Sequence, residues 1–220
     1  MHLSSLRRLA RRLGYCWKRC RRSLRDQRAP EAFAACQRQL QALHQAETRD
    51  EVAVVYVDEC RFSRHAPVPY AWQRRGQPPV ELPAVRGRGG HSVLGFWQAA
   101  VVGQPLVAYQ RAGALTADLF ALAVDEFSRS LSGPTVLVLD NASIHKAHVV
   151  QARHAEWAAR GLTLLFLPPY SPELNKIERL WHRCKHYWLR PEDYATDATL
   201  LKRIEYVLSQ VGRHYTVTFA

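Results

Sequence analysis

The sequence predicts an α/β domain, a mixed sheet flanked by helices on both faces, with a short basic helical segment at the N-terminus. Three observations predict it. Apolar residues make up 47% of the 220, enough for a packed core and too many for a disordered chain. Residues 52–57, 135–139 and 162–167 are short β-branched and aliphatic runs, with the length and continuity of strands buried on both faces. Around them lie stretches with apolar residues at helical spacing. Early strands can therefore pair antiparallel, while later ones alternate with helices.

In chain order, residues 1–28 carry ten Lys or Arg against one acid, Asp26. Ser5 can cap a short helix there, with Leu6, Leu9 and Leu13 on one side and Gly14 as its stop. A helix so short is unstable alone, so the segment reads as the end of a helical DNA-binding module. Residues 29–50 read as a polar linker helix. Pro30 sits near its start, and Phe33, Cys36, Leu40 and Leu43 recur at helical spacing. The main domain covers residues 51–212, and 213–220 form a tail.

Within the main domain, the first strand, 52–57, is expected to end at Asp58. Residues 70–83 read as hairpin or loop. Strands at 91–102 and 105–110 flank a turn at Gly103-Gln104. Thr116 can cap a helix with Leu119, Phe120, Leu122, Ala123 and Phe127 on its inner face, broken by Gly133-Pro134. The strand at 135–139 leads to Asp140. A helix over 145–160 stops at Gly161. The strand at 162–167 meets Pro168-Pro169. A helix then runs from Pro172 to about Leu189, and the last covers 198–211.

The formal net charge of +12 points to a polyanionic partner, nucleic acid before an acidic membrane surface. No apolar run reaches the roughly 18–20 residues a membrane span needs, so no membrane partner is expected. Five cysteines, an odd number with no C-x-x-C pair, suggest neither a disulfide framework nor a zinc knuckle. Reduced thiols fit a cytoplasmic, nucleoid-associated protein. The Arg-rich start resembles a transit peptide but lacks a small-residue cleavage signal.

Three carboxylates occupy telling places. Asp58 and Asp140 follow buried strands, and Glu178 lies on the helix after the last strand. Strand ends on one edge of such a sheet converge where ligands tend to bind. Carboxylates grouped there repel one another unless cations sit between them, and an oxygen-rich set suits Mg²⁺ or Mn²⁺. Ile177, Leu180, Trp181, Cys184 and Trp188 form an apolar stripe that anchors the helix, and Glu178 stands one position off it. Glu173 competes for the third place, although an acid in a first helical turn also has a local role. Glu59 should point to the opposite face of the strand from Asp58.

The segments that carry these acids resemble a known family. VVYVDECRFS (54–63), PYAWQRRGQPP (69–79), VLVLDNASIHKAH (136–148) and LLFLPPYSPELNKIERLWHRCKHYW (164–188) are similar to the DDE endonuclease domain of mariner-type transposases, above all their bacterial insertion-sequence branch. The likeness covers about residues 15–210 in order. It implies an RNase H-like fold, two Mg²⁺ ions with Mn²⁺ as substitute, and cleavage and strand transfer at transposon ends. Asp58, Asp140 and Glu178 match the family's first, second and third acids, as both catalytic residues and metal ligands. The spacing of the last two is close to the family's usual three dozen residues. The motif more commonly has Pro where Lys176 stands, and often Asp where Glu173 stands.

Members usually carry a pair of helix-turn-helix modules before this domain. Here LGYCWKRCRRSLRDQ (13–27) resembles only the tail of the second. The resemblance implies double-stranded DNA as partner, a homodimer on that DNA, and no small-molecule cofactor. The competing expectations are a junction resolvase on the same fold, and a truncated DNA-binding remnant that inhibits full-length transposase.

Other residues support the site. His145, five residues past Asp140 and near Asn141, can approach a scissile phosphate or brace the second acid. Asn175 can orient Glu178 or cap its helix. Trp72, Arg74 and Arg75 can stack on and clamp DNA, or pack a hairpin. Arg86 and Arg88 lie in a Gly-rich basic stretch suited to phosphates. Lys18, Arg19, Arg21 and Arg22 are expected phosphate contacts that add affinity but little sequence discrimination.

Overall fold

The computed structural model describes residues 3–16, 25–67, 73–76, 78–79, 81–82 and 90–219. Five strands form one sheet: β1 (Ala53–Phe62), β2 (His91–Trp97), β3 (Leu106–Ala112), β4 (Thr135–Leu139) and β5 (Leu162–Phe166). Their order is β3-β2-β1-β4-β5. β1 and β2 pair antiparallel, as do β2 and β3, while β4 joins β1 and β5 in parallel. β1 is therefore the seam between a meander and a pair of crossover strands.

Two cores lie on the two faces. Val54, Tyr56, Cys60 and Phe62 of β1 face α2 (Pro30–Glu47), α6 (Ile177–Arg183) and α7 (Asp197–Ser209). Val55 and Val57 face α3 (Ala117–Arg129), α4 (His148–Gln151) and α5 (His154–Ala159). The alternation follows from the period of two along a strand. α2 buries Cys36 and Leu40 in the first core. In the N-terminal segment, α1 (Leu3–Arg12) leaves Leu3, Leu6, Leu9 and Leu13 exposed.

Several boundaries differ from expectation. β1 does not end at Asp58. It continues to Phe62 because β2 goes on pairing with it, Phe62 opposite His91. α1 begins before Ser5, so that residue is no cap, but Gly14 does end it. The Gly14 φ of +81° lets the Tyr15 N–H reach the Ala10 carbonyl (2.9 Å) and the Gly14 N–H the Arg11 carbonyl (3.1 Å), a closure that glycine favours. The expected helix over 145–160 is broken. A 3-10 turn (Ser143–Lys146) is followed by extended Ala147, then α4 and α5. Ala147 starts α4 afresh, its carbonyl accepting the Val150 N–H (2.9 Å) and the Gln151 N–H (3.0 Å).

The helix expected from Pro172 is also divided. A 3-10 turn (Pro172–Leu174) gives way to extended Asn175 before α6, which continues as a π-helical turn over Cys184–Trp188. Thr116 caps α3 as expected, its side chain accepting from the Leu119 N–H (3.4 Å).

Candidate active site

The sheet places the two aspartates side by side. β1 and β4 run parallel with Tyr56 level with Val138. Two residues further along each strand brings Asp58 level with Asp140, just past the end of β4. On its other side Asp58 is paired with Gly95 of β2. That glycine governs how close the third acid comes. A Cβ at Gly95 would lie 2.7 Å from the Trp181 ring and 3.1 Å from Ile177 Cδ1, both on α6. The bare backbone lets α6 settle on the sheet beside Asp58, with Glu178 one residue after Ile177.

The electrostatics show that the three acids sense one another. Burial first, and then Glu178, push the Asp58 carboxyl up to about 8; Asp140 and Glu59 add to the rise, and a backbone hydrogen bond at Glu59 opposes it. Glu178 is also raised, by crowding around its carboxyl and by Asp140, and Lys185 partly offsets this. Asp140 is different. It is held below the ordinary carboxylate range, above all by its hydrogen bond with His145, against a desolvation cost and with help from the Ala142 N–H and Lys146. Among the described residues, no three His, Cys, Asp or Glu side chains close on a common point as a metal shell would. Mutual repulsion keeps an uncompensated carboxylate set apart. An all-oxygen, all-anionic donor set with one member pushed to about 8 nonetheless fits a hard divalent cation, which would remove that repulsion.

His145 lies behind Asp140. It is 1% exposed and packs against Phe120 (ring centroids 4.5 Å apart). Its Nδ1 lies 2.9 Å from Asp140 Oδ1. The ring is enclosed between Asp140 and Phe120 and does not face solvent. The Ala142 N–H holds the same Oδ1 at 3.0 Å. Asn175, buried, donates from Nδ2 to the Val57 carbonyl (3.3 Å), next to Asp58, and its own carbonyl accepts the Glu178 N–H (3.2 Å). It ties the start of α6 to β1. Asn141 donates from Nδ2 to the Leu167 carbonyl, linking the segments that follow β4 and β5.

Glu173 is engaged by Arg28, and Glu59 is exposed on the opposite face of β1 from Asp58, its carboxyl raised by partial desolvation, with His145 opposing the rise and Asp140 adding to it. Lys185 was not singled out by the sequence reading. It stands beside Cys60 and Glu178, favouring the ionised form of each, with its ammonium 5.8 Å from the Phe62 ring centroid. The available signal was its place two helical turns beyond Glu178. Arg74 and Arg75 are exposed. Lys18, Arg19, Arg21, Arg22, Trp72, Arg86 and Arg88 lie outside the described residues.

Solved structures share this architecture. The Mos1 transposase paired-end complex with left transposon end superposes with a TM-score of 0.52 at 15% identity, covering 94% of this chain and 68% of that one. The mariner Mos1 paired-end complex with Mg gives 0.53, with the same identity and coverage. The likeness is one of fold, an RNase H-like mixed sheet flanked by helices. Residues 53–201 match the family described as DDE superfamily endonuclease, and the chain belongs to that family. Among curated proteins, it is 25% identical to the insertion element IS630 uncharacterized 39 kDa protein of Shigella sonnei, over 96% of this chain and 60% of that protein. It is 39% identical over 54 residues to the uncharacterized protein y4pE/y4sA of Sinorhizobium fredii, 24% of this chain and 36% of that one. The chain spans 60% of the length of the first of these relatives. Among the described residues no helix is long and apolar enough to cross a membrane.

Proposed function

We propose that this chain is the catalytic part of a bacterial insertion-sequence transposase, cutting and joining double-stranded DNA at transposon ends with Asp58, Asp140 and Glu178 as ligands for two divalent ions. The observation that supports the reading is that Asp58 and Asp140 lie level on adjacent parallel strands with α6 seated beside Asp58, where burial first and then Glu178 push the Asp58 carboxyl up to about 8. When bound, two such ions activate a water and stabilise the leaving oxygen of a phosphodiester.

The chain's own residues perform the rest. β1 and β4 hold the two aspartates abreast, and His145 keeps Asp140 ionised and oriented. Asn175 and Gly95 set α6 so that Glu178 meets the aspartates. Lys185 places a cation beside Glu178, a charge that suits a phosphate. Arg74 and Arg75, with the basic residues of the N-terminal segment and Arg86 and Arg88, supply salt-dependent contacts to the DNA backbone. Pairing of two transposon ends calls for a homodimer on DNA.

Supercoiled plasmid incubated with Mn²⁺ tests the reading, with Asp140→Asn alongside. Nicking by the wild type and none by the variant is the expected result. Equal nicking by both would refute the assignment. DNA binding without nicking by either would favour a regulatory remnant that has kept idle acids.

A further inference from the structure

Lys176 immediately precedes α6, two residues before Glu178. A cation at a helix N-terminus opposes the helix dipole, so its presence there calls for a compensating role. Three separate parts of the chain meet its side chain. Its ammonium donates to His44 Nε2 of α2 at 2.9 Å. It lies 5.6 Å from the ring centroid of Tyr56 on β1, and 5.4 Å from that of Phe219 near the C-terminus.

Each of these partners is itself fixed. The Tyr56 hydroxyl is 2.8 Å from His44 Nε2, and His44 Nδ1 is 2.8 Å from Glu47 Oε2. With the proton on Nδ1, that nitrogen donates to the carboxylate, while the single lone pair of Nε2 accepts from the Lys176 ammonium, with the Tyr56 hydroxyl beside it. The other Glu47 oxygen accepts the Val54 N–H of β1 at 3.0 Å. The C-terminal segment is pinned by Gln104, whose side chain pairs with both the N–H (3.0 Å) and the carbonyl (2.8 Å) of Val217. Phe219 then reaches Trp97 on one side and Arg179 of α6 on the other. Lys176 and Arg179 flank Glu178 in sequence, and both hold the same ring.

We infer that Lys176 is a positioning residue: it joins α2, β1 and the C-terminal segment to the first turn of α6 and so sets where Glu178 stands relative to Asp58 and Asp140. The inference rests on the proposed metal role of those acids. Backbone geometry supplies a discriminating variant. Lys176 has φ −60° and the preceding Asn175 is extended, with φ −88° and ψ 97°. Proline is compatible with both angles and would fix the entry into α6 by its ring, without any tie to α2 or Phe219.

The test uses the full chain as wild type, Lys176→Met and Lys176→Pro. Two quantities are read: hydrogen exchange of the α6 amides without metal, and the Mn²⁺ dissociation constant by calorimetry. Lys176→Met is expected to speed exchange in the first turn of α6 and to weaken Mn²⁺ binding about tenfold, the lower end of what loss of a ligand's outer partner costs. Lys176→Pro is expected to restore both. Unchanged α6 exchange in Lys176→Met overturns the inference, as does failure of the proline variant to restore it. Should Lys176→Met fail to fold, Phe219→Leu must still speed α6 exchange, and an unchanged rate there counts against it equally. Wild-type protein that binds no Mn²⁺ would instead sink the metal assignment, while the exchange measurement still decides the role of Lys176.

Discussion

Asp58 and Asp140 are neighbours of the same chemical type whose carboxyls are driven in opposite directions, Asp58 up to about 8 and Asp140 down. For Asp58 the folded value lies above the unfolded one, so the metal-free fold binds more protons. Its stability should therefore fall as pH rises from about 4 through 8. Asp58→Asn removes that dependence: in metal-free protein it should raise the melting temperature more at pH 8 than at pH 5, by calorimetry. An equal effect at both values would contradict the shift. Asp140 has the reverse sign, its stabilisation being present above the ordinary carboxylate value and lost as pH falls through the depressed one. His145→Gln should weaken Mn²⁺ binding by about 10- to 100-fold, as loss of a ligand's outer partner does, and move the acid limb of the pH profile upward. An unmoved acid limb would show that His145 serves only the packing with Phe120. The sequence showed His145 near the second acid but left two roles open, because its burial depends on Phe120, distant in the chain.

At the scale of elements, Gly95 is the contact on which the third acid depends. Gly95→Ala puts a methyl against Trp181 and Ile177. Overpacking of this kind costs about 1–3 kcal/mol, seen as a lowered melting temperature. Because the clash falls on α6, metal affinity should fall too. A crystal structure of the variant with α6 unmoved would refute that link. The elements themselves were largely legible. Continuous apolar runs marked β4 and β5, and Thr116 marked the start of α3. The end of β1 was missed because Glu59, Cys60, Arg61 and Phe62 alternate exposed and buried. That is a strand half-covered on one face, and it looked polar beside the fully buried run before it. The breaks around Ala147 and Asn175 were missed for another reason. A single extended residue inside a helical pattern leaves little trace in periodicity; the one at Asn175 is held by its hydrogen bond to Val57, distant in the chain.

For the whole molecule, the excess of positive charge and the acidic edge act on different ligands. DNA affinity should fall steeply with salt, the logarithm of the binding constant decreasing linearly with that of salt concentration; fluorescence anisotropy between 50 and 200 mM salt, as an order-of-magnitude window, measures it. A flat response would argue against backbone contacts. Divalent ions should raise the melting temperature by binding the folded state alone, and more at pH 8 than at pH 6, where protons compete for Asp58. The wide reach of the fold in sequence also explains what was legible at this scale. Three of the four motif blocks, 54–63, 136–148 and 164–188, lie in β1, β4, β5 and the segments next to them that carry the acids, whereas α2 looked like a connector. Its contribution to the core comes through Cys36 and Leu40 and through the polar ties of His44 and Glu47, none of which a helical repeat reveals.

The parallel pairing of β1 with β4 has an evolutionary consequence. Asp58 and Asp140 are brought together by strand register, not by the length of chain between them. Insertions and deletions in the loops of that interval can accumulate across a lineage without separating the pair. A single-residue slip within either strand would turn its aspartate to the other face of the sheet. Drift in this lineage should therefore show as loops of changing length around two short strands that keep their length.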